Sequence, residues 1–510
     1  MIGGRAGVVV ALVLAAAVPA NVCAQDAKPA PVAHEKERSR TDLLRESYAI
    51  AADLVPSQRA LLLFQLASAA GPIAPDLSKQ WAKDLFSLTF QLDPDWNRSA
   101  LQKNAVGVLA NADPAGAFRM LGMMSPLPNQ TMLGEDLRAD AARTVFLLYW
   151  NQQRSPGRLA EIRTRSAAIA QDGQYPFLAV SPMLHDLLRR DEPAGLAWFS
   201  EISMAYSQGS ANIRSSNPDF VAFLRDFWPT LTPAAKREAL TPLVSKLTQP
   251  DADASERTYR STVKTSAGAV GFSSRNDQLL FQVMPLLREL DAKWASRLAQ
   301  DRPALSRAAG AATEEVQQAY VTGNASSSDQ AAAAAEALGR QGQLSRVYDA
   351  LGMGPGEALQ MAGQLGDPHT QLAALGGIAR GLEIKDTSSS VTVEEQAKRA
   401  LEASKDPLDK LRALALLAQS TGRVGDTASF VEYMNRGFDL GELLFEEFVQ
   451  THPTADVEGA EVIGPLGNLV ETGMRFRRFD TLARVERSSN RLLTAYLLIA
   501  AAGGDDTAKE

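Results

Sequence analysis

Residues 358–380 read ALQMAGQLGDPHTQLAALGGIAR, and the second half of this stretch returns 39 positions later. Asp367-Pro368 recurs there as Asp406-Pro407. A repeat of about forty residues is typical of stacked helix pairs, so it predicts the architecture of this part of the chain. The apolar positions recur with the same spacing: Leu372, Ala374, Leu375, Ile378 and Ala379 are matched by Leu411, Ala413, Leu414, Leu417 and Ala418.

The apolar pattern returns once more near the end of the chain, 82 positions after the second copy. Since this displacement is close to two repeats, we expect a degenerate copy in between, around His452-Pro453 and a helix at 459–473. The sequence therefore predicts about four copies. In the last copy the matching residues are Leu493, Ala495, Tyr496, Ile499 and Ala500.

The dipeptide Asp-Pro marks several of the predicted helix junctions. Aspartate accepts hydrogen bonds from the free N–H groups at the start of a helix, and proline is tolerated at the first helical position. Proline also disfavours a helical conformation of the residue before it, which ends the preceding helix. One dipeptide is thus predicted to close one helix and open the next, at 93–94, 113–114, 367–368 and 406–407.

The composition favours helices throughout the chain. Hydrophobic residues make up 45% of it and aromatic residues only 6%, because much of the apolar content is alanine and leucine. Both are strong helix formers, and the alternating β-branched runs that strands need are scarce. We predict an all-α protein, an α-solenoid of antiparallel helix pairs wound into a right-handed superhelix, with no significant β-sheet.

The start of the sequence has the features of an export signal. Arg5 precedes an apolar run, 6–18, that is too short to span a bilayer of about 30 Å as a helix. Small residues follow, and cleavage is predicted after Ala24, with Ala20 as a second possible site. Val22 directly before Cys23 argues against a lipoprotein. The mature protein is expected to be periplasmic or extracellular.

The segments after the signal peptide (1–24) differ in composition. Residues 25–40 are rich in proline, alanine and charge, which predicts a disordered tether. An N-terminal helical domain is predicted at 41–301, and a loop is expected within it at 251–275. A linker at 302–330 leads to a C-terminal helical-repeat domain at 331–503, followed by a polar tail at 504–510.

Several kinds of site are excluded or disfavoured by composition. Cys23 is the only cysteine, and the predicted cleavage removes it, so disulfides and thiolate sites are excluded. A net charge of −7 argues against a general affinity for nucleic acid. The histidines are far apart in sequence, and no metal or cofactor is expected. They are His34, His185, His369 and His452.

Motifs that would carry catalysis are weak. Ser261-Thr-Val-Lys264 fits the Ser-x-x-Lys pattern of penicillin-interacting serine enzymes. Those enzymes place the serine at the start of a helix packed on a sheet and need further elements downstream, which this sequence lacks. We therefore assign no catalytic residue.

One basic and aromatic segment is a candidate for contact with a partner. It runs from Arg475 through Arg477 and Arg478, with Phe476 and Phe479 interleaved. The three arginines could bind an acidic partner or a phosphate. The alternative is an amphipathic helix that buries the two phenylalanines while the arginines extend to the surface.

Residues 331–503 resemble α-solenoid repeats of the tetratricopeptide and HEAT type, and exported bacterial proteins built from such repeats. The unit is longer than the tetratricopeptide repeat of about 34 residues, and that family's Trp…Leu-Gly…Tyr signature is absent. The resemblance implies that a protein or peptide binds on a concave surface.

The predicted function is accordingly an exported, non-catalytic scaffold for protein–protein interaction. The alternative is a helical-toroid enzyme that acts on polysaccharide or peptidoglycan. Because solenoid units bury their cores only against neighbours, the first and last helices are expected to cap the array.

Overall fold

Helices form nearly all of the regular structure. The computed structural model describes residues 38–126, 136–209, 216–249, 261–265, 268–272, 274–302, 305, 320–321, 328–382, 386–451, 461–476 and 480–504. The first helices are α1 (Arg40–Ala51), α2 (Pro56–Ala70), α3 (Pro75–Thr89), α4 (Trp96–Ala112), α5 (Pro114–Leu121), α6 (Leu137–Gln152), α7 (Pro156–Gln171), α8 (Phe177–Arg190), α9 (Glu192–Gln208), α10 (Ser216–Phe227), α11 (Pro233–Thr248), α12 (Arg275–Leu290) and α13 (Ala292–Gln300).

The C-terminal part continues the helical pattern, and the predicted all-α class is confirmed. Among the described residues, no helix is long and apolar enough to cross a membrane. The helices here are α14 (Ser328–Leu351), α15 (Pro355–Gly363), α16 (Pro368–Gly381), α17 (Thr387–Ala403), α18 (Pro407–Val424), α19 (Thr427–Thr451), α20 (Ile463–Phe476), α21 (Thr481–Glu486) and α22 (Arg491–Gly504).

The helices pack in two rows. The even-numbered helices lie side by side in the order α14, α16, α18, α20, α22, α2, α4, α6, α8, α10 and α12, each in contact with the next. The odd-numbered helices pack against this even row, and among themselves they make comparable contacts only between α9 and α11 and between α15 and α17. Two such layers are the arrangement expected of antiparallel helix pairs. The right-handed superhelix stays a prediction.

The first and last helices meet in the middle of this array, because α1 and α2 both pack against α22. Ser47 of α1, which is fully buried, donates a 2.9 Å hydrogen bond to the carbonyl of Ala495 in α22. An ion pair of 2.7 Å between Arg491 and Asp53 lies at the same junction. The expectation that the first and last helices cap the array is therefore wrong: each buries its apolar face against the other.

The hydrophobic core reflects this junction. One cluster of buried residues extends from Leu43 to Leu305 and also includes residues of 411–502. A second, smaller cluster lies between Val347 and Leu417. The larger core therefore joins α1–α13 to the last helices of the chain. The domain bounds predicted from composition stay predictions, and their signal peptide, most of the tether and most of the tail lie outside the described residues.

A small antiparallel sheet occupies part of the segment predicted as a loop. Strand β1 (Ser261–Thr265) pairs with β2 (Gly268–Phe272) and with β3 (Tyr320–Val321), which lies within the predicted linker. Strand pairing satisfies the backbone polar groups of a polar stretch that has no helical periodicity. Ser261 and Lys264 thus lie on a strand and not at the start of a helix.

Asp-Pro has the predicted capping role at three of its four sites. The side chains of Asp113, Asp367 and Asp406 accept hydrogen bonds from backbone N–H groups in the first turns of α5, α16 and α18. At the fourth site, Asp95 and not Asp93 caps α4, accepting from Arg98 N. Proline at 94 therefore stands outside that helix.

The repeated apolar positions are core positions. All five of them in α16 and all five in α18 are at most 3% exposed. In α22, Leu493, Ala495 and Tyr496 are buried, while Ile499 and Ala500 pack against the core and are partly buried. These three helices belong to the even row, and α20 lies between α18 and α22, where the degenerate copy was predicted.

Candidate functional site

Three neighbouring helices of the even row present exposed strips with helical spacing. On α16, His369, Ala373, Gly376 and Arg380 are partly or fully exposed, while the positions between them include the buried repeat residues. Their spacing of three or four residues places them on one side of the helix. We call the combined strips of α16, α18 and α20 the repeat face.

The other two helices complete the repeat face. On α20 the exposed positions are Gly464, Asn468 and Glu471, and Arg475 is partly exposed. α18 lies between α16 and α20, so its strip is narrower: Arg412 and Gln419 are partly exposed, and Arg423 is buried. The floor of the repeat face therefore has mostly small or amide side chains, and its charged groups lie toward the helix ends.

At the N-terminal ends of these helices the charged groups are paired, and we call this region the paired end. Arg412 donates through Nη1 to Asp409 Oδ1 at 2.8 Å and through Nη2 to Glu461 Oε2 at 2.7 Å. His369 Nδ1 lies 3.0 Å from Asp409 Oδ1 and 2.9 Å from Arg412 Nη1. The Asp409 side chain is 7% exposed. Four side chains thus connect α16, α18 and the start of α20.

The chemistry available at the paired end is limited by these contacts. The Asp409 carboxylate only accepts and Arg412 only donates, so His369 Nδ1 hydrogen-bonds to one of them at a time, according to its protonation. Among the described residues, no hydroxyl group is hydrogen-bonded to His369. The paired end therefore has an oriented histidine, and the described residues place no hydroxyl nucleophile beside it.

At the C-terminal ends of the same helices lies a second charged group, which we call the open end. Arg423 is 9% exposed, and its Nη2 donates a 2.8 Å hydrogen bond to the carbonyl of Ala379 in α16. Its Nε is buried and has no hydrogen-bond partner. The nearby carboxylate of Asp386 caps α17 by accepting from Ser389 N and Ser388 Oγ, both at 3.0 Å. Within the described ranges, Arg423 is thus a buried cation without a hydrogen-bonded carboxylate.

The pKa values of the charged groups at the open end are shifted by burial and by their neighbours. The pKa of Arg423 is lowered, first by burial and then by the positive charge of Arg475, against a smaller opposing effect of Asp386. The pKa of Glu471 is raised by loss of hydration, although Arg380 and Arg475 act in the opposite direction. Glu471 is nevertheless exposed.

Two adjacent glycines in α16 have different surroundings: one packs against another helix and the other faces open space. A Cβ on Gly377 would lie 2.4 Å from the Tyr348 ring, so this glycine is needed where α14 packs on α16. A Cβ on Gly376 would meet nothing within 4 Å. Glycine inside a helix costs about 0.5–1 kcal/mol relative to alanine. Packing does not explain why position 376 is a glycine. The missing side chain leaves a smooth floor midway along the repeat face.

The structure describes one of the three arginines that the sequence singled out. Arg475 lies at the open end, in the last turn of α20. Arg477, Arg478 and Phe479 lie outside the described residues. Phe476 is partly buried and packs beside Gly422, where a Cβ would lie 2.5 Å from its ring. Burial of this phenylalanine agrees with the amphipathic alternative. Arg475 lies at the edge of this helix and belongs to the charged group of the open end.

Sequence reasoning missed Arg380, Arg423 and Glu471. The repeat alignment pairs Arg380 with Gln419, so it does not place Arg380 and Arg423 at equivalent positions. The usable pattern was simpler: α16, α18 and α20 each have an arginine in the last turn. Three parallel helices of one row bring such residues together.

The other described histidine lies far along the even row. His185 of α8 is 2.8 Å from Asp226 Oδ2 and stacks on Phe227 with ring centroids 4.1 Å apart. In the parts of the chain that the structure describes, no group of three or more histidine, cysteine or acidic residues could hold a metal ion. His34 and His452 lie outside those parts.

Comparison with known proteins gives no family for this chain. No protein-family model matches it, and no curated protein matches it.

Proposed function

We propose that this protein is an exported, non-catalytic scaffold and that it binds an extended segment of a partner protein along the repeat face. The observation that carries this proposal is the open glycine floor at Gly376 between two charged ends. Solenoid repeats bind peptides along such strips because successive helices present side chains at regular intervals. Export stays a proposal that rests on the sequence of 1–24.

The packing of the two rows supports the choice of this face. Even-numbered helices touch their neighbours at each step of the row, whereas the odd-numbered helices mostly do not. In a curved two-layer array the inner helices are crowded and the outer helices spread apart, so we infer that the even row lines the inner surface.

A matched pair of glycine substitutions tests the proposal. Gly376→Trp places a large side chain on the floor of the repeat face, where a Cβ has open space. Gly356→Trp is the control, because Gly356 is equally open but belongs to α15 in the odd-numbered row. The two variants and the wild type are used as baits in isotope-labelled affinity capture from envelope extracts, after circular dichroism shows that all three are folded.

The proposal predicts at least one protein that the wild type and Gly356→Trp retain equally and that Gly376→Trp retains at least tenfold less, since an indole on the floor blocks the bound segment. A photo-crosslinker at Ala373 should then label the same protein. If no captured protein depends on Gly376, or if Gly356→Trp loses the same proteins, the repeat face is not the binding surface. The enzyme alternative stays an untested prediction.

A further inference from the structure

We infer that the open end of the repeat face binds a carboxylate of the partner segment, with Arg423 as the principal contact and Glu471 as an internal competitor. This inference rests on the proposed function and adds the chemistry of the partner: an acidic side chain presented by an extended peptide. It is carried by the incomplete hydrogen bonding of Arg423 together with the charges that surround it.

Arg423 is a buried arginine that has N–H donors without hydrogen-bond acceptors among the described residues, whereas buried donors are normally hydrogen-bonded. A guanidinium has five N–H donors, and the one hydrogen bond found for Arg423 goes to a backbone carbonyl. Nε is buried without a partner. A buried charge without a paired counter-charge is destabilising, and an anionic ligand would supply acceptors for the remaining terminal N–H groups of Arg423. The planar fork of a guanidinium matches the two oxygens of a carboxylate.

The neighbouring charges favour an anion as well. Arg475 lies close enough to lower the pKa of Arg423, and Arg380 and Arg475 both act on Glu471. Asp386 is a carboxylate near Arg423 and acts on its pKa. Its Oδ1 accepts both capping hydrogen bonds of α17, and among the described residues it is not hydrogen-bonded to Arg423. Arginines near helix C-termini are favoured by the helix dipole, which accounts for the exposed Arg380 and the partly exposed Arg475. Arg423 likewise lies in the last turn of α18 and donates to a carbonyl near the end of α16, but neither contact gives its charge a hydrogen-bonded carboxylate among the described residues.

Glu471 gives the site a built-in competitor. Glu471 is exposed, and its carboxylate is acted on by Arg380 and Arg475, two of the three arginines of the open end. An incoming carboxylate would share the arginines with it and would be repelled by it. Removal of the Glu471 charge should therefore strengthen the binding of an acidic ligand, whereas removal of the Arg423 charge should weaken it. Opposite effects from two neighbouring residues are not expected of residues that only support the fold.

The test measures binding of defined probes to the full chain by the ¹⁵N chemical shifts of arginine Nε–H groups. The probes are a capped pentapeptide, acetyl-Ala-Ala-Glu-Ala-Ala-amide, its glutamine counterpart, and inorganic phosphate. We expect the glutamate peptide to shift the Arg423 resonance saturably and the glutamine peptide to bind at least tenfold more weakly. Phosphate should bind no more tightly than the glutamate peptide.

Variants assign the effect to the open end. Arg423→Gln should weaken the glutamate peptide at least tenfold, as followed on the Arg475 resonance, Arg423→Lys should recover part of that loss, and Glu471→Gln should tighten binding about threefold. Arg436→Gln is the control, because Arg436 is exposed on α19 and paired with Glu432. Thermal unfolding of each variant identifies any that fail to fold, and Arg423→Lys then replaces Arg423→Gln in the comparison.

Three results would overturn the inference: equal binding of the glutamate and glutamine peptides, phosphate binding more than tenfold tighter than the glutamate peptide, or unchanged binding in both Arg423 variants. None of these results bears on the capture experiment with Gly376→Trp, which can succeed when the partner is not acidic. If the capture experiment fails and the peptide binds as expected, the open end is a carboxylate-binding site but the protein is not the proposed scaffold.

Discussion

The two ends of the repeat face contain the same residue type in opposite circumstances. At the paired end, Arg412 hydrogen-bonds to two carboxylates and approaches a histidine ring nitrogen. At the open end, Arg423 is more deeply buried and hydrogen-bonds to a single backbone carbonyl. Both arginines belong to α18, and both reach toward α16. The same helix thus carries one guanidinium whose donors are used and one whose donors are largely unused.

This difference separates a structural role from a binding role. Paired charges hold adjacent repeats together and leave little for a ligand to gain. An unpaired guanidinium lowers the stability of the free protein, and a ligand that binds it can complete its hydrogen bonds. We expect substitutions at the two ends to change the free energy of unfolding in opposite directions.

The largest effect is expected at the paired end. Arg412→Met should lower the free energy of unfolding by about 2–3 kcal/mol, because it leaves the Asp409 carboxylate buried with only His369 beside it. Chemical denaturation measures this value. Arg436→Met removes an exposed ion pair and should change stability by less than about 0.5 kcal/mol. A loss as small as that of Arg436→Met would show that the paired end does not hold the repeats together.

At the open end the same substitution should be harmless. Arg423→Met replaces a buried cation by an apolar chain of similar length, so the free energy of unfolding should stay unchanged or rise by about 1 kcal/mol. Chemical denaturation under the same conditions gives the comparison with Arg412→Met. A loss of about 2 kcal/mol or more would mean that Arg423 has a structural role and would remove the contrast between the ends.

The floor between the ends gives a smaller effect. Gly376→Ala should raise the free energy of unfolding by about 0.5–1 kcal/mol, since the new methyl group meets open space and alanine favours the helix. Gly377→Ala should gain less or lose, because its methyl group would displace the Tyr348 ring. Equal effects in the two variants would show that the glycine at 376 has no special surface role.

The smallest effect concerns pH. The pKa of Glu471 is raised in the folded protein, so the folded state binds this proton more tightly than the unfolded state does. Its contribution to stability is therefore present at pH values below its unfolded pKa and is lost as pH rises through its folded pKa. Glu471→Gln should gain stability relative to the wild type between about pH 4 and pH 7. Denaturation curves at both pH values measure this difference, and a relative loss would contradict the assignment.

Much of the fold could be predicted from the sequence because its information is local. The Asp-Pro dipeptides at 113–114, 367–368 and 406–407 predicted the starts of α5, α16 and α18. The junction of α1 with α22 could not be predicted, because the bond between Ser47 and Ala495 joins residues far apart in the chain. The strands β1 and β2 were missed for a related reason: they are stabilised by pairing with each other, which the residue types alone did not indicate.

The candidate site was predicted less well than the fold. Arg475 stood out because neighbouring arginines and phenylalanines made it conspicuous. Arg423 did not, since its burial without a hydrogen-bonded carboxylate becomes visible only when α16, α17 and α20 surround α18. Gly376 and Gly377 are indistinguishable in sequence, and only the position of the Tyr348 ring separates them. Repeat patterns therefore indicated which helix faces are buried but not which exposed groups lack partners.

We propose that Arg423 is left incompletely hydrogen-bonded for an anionic ligand, and the stability gained on adding such a ligand measures this. A ligand that binds only the folded state raises the free energy of unfolding by about 1.4 kcal/mol at ten times its Kd. The account predicts that the capped glutamate pentapeptide stabilises the wild type by such an amount and leaves Arg423→Met unchanged. Equal stabilisation of both proteins, or of neither, would contradict it.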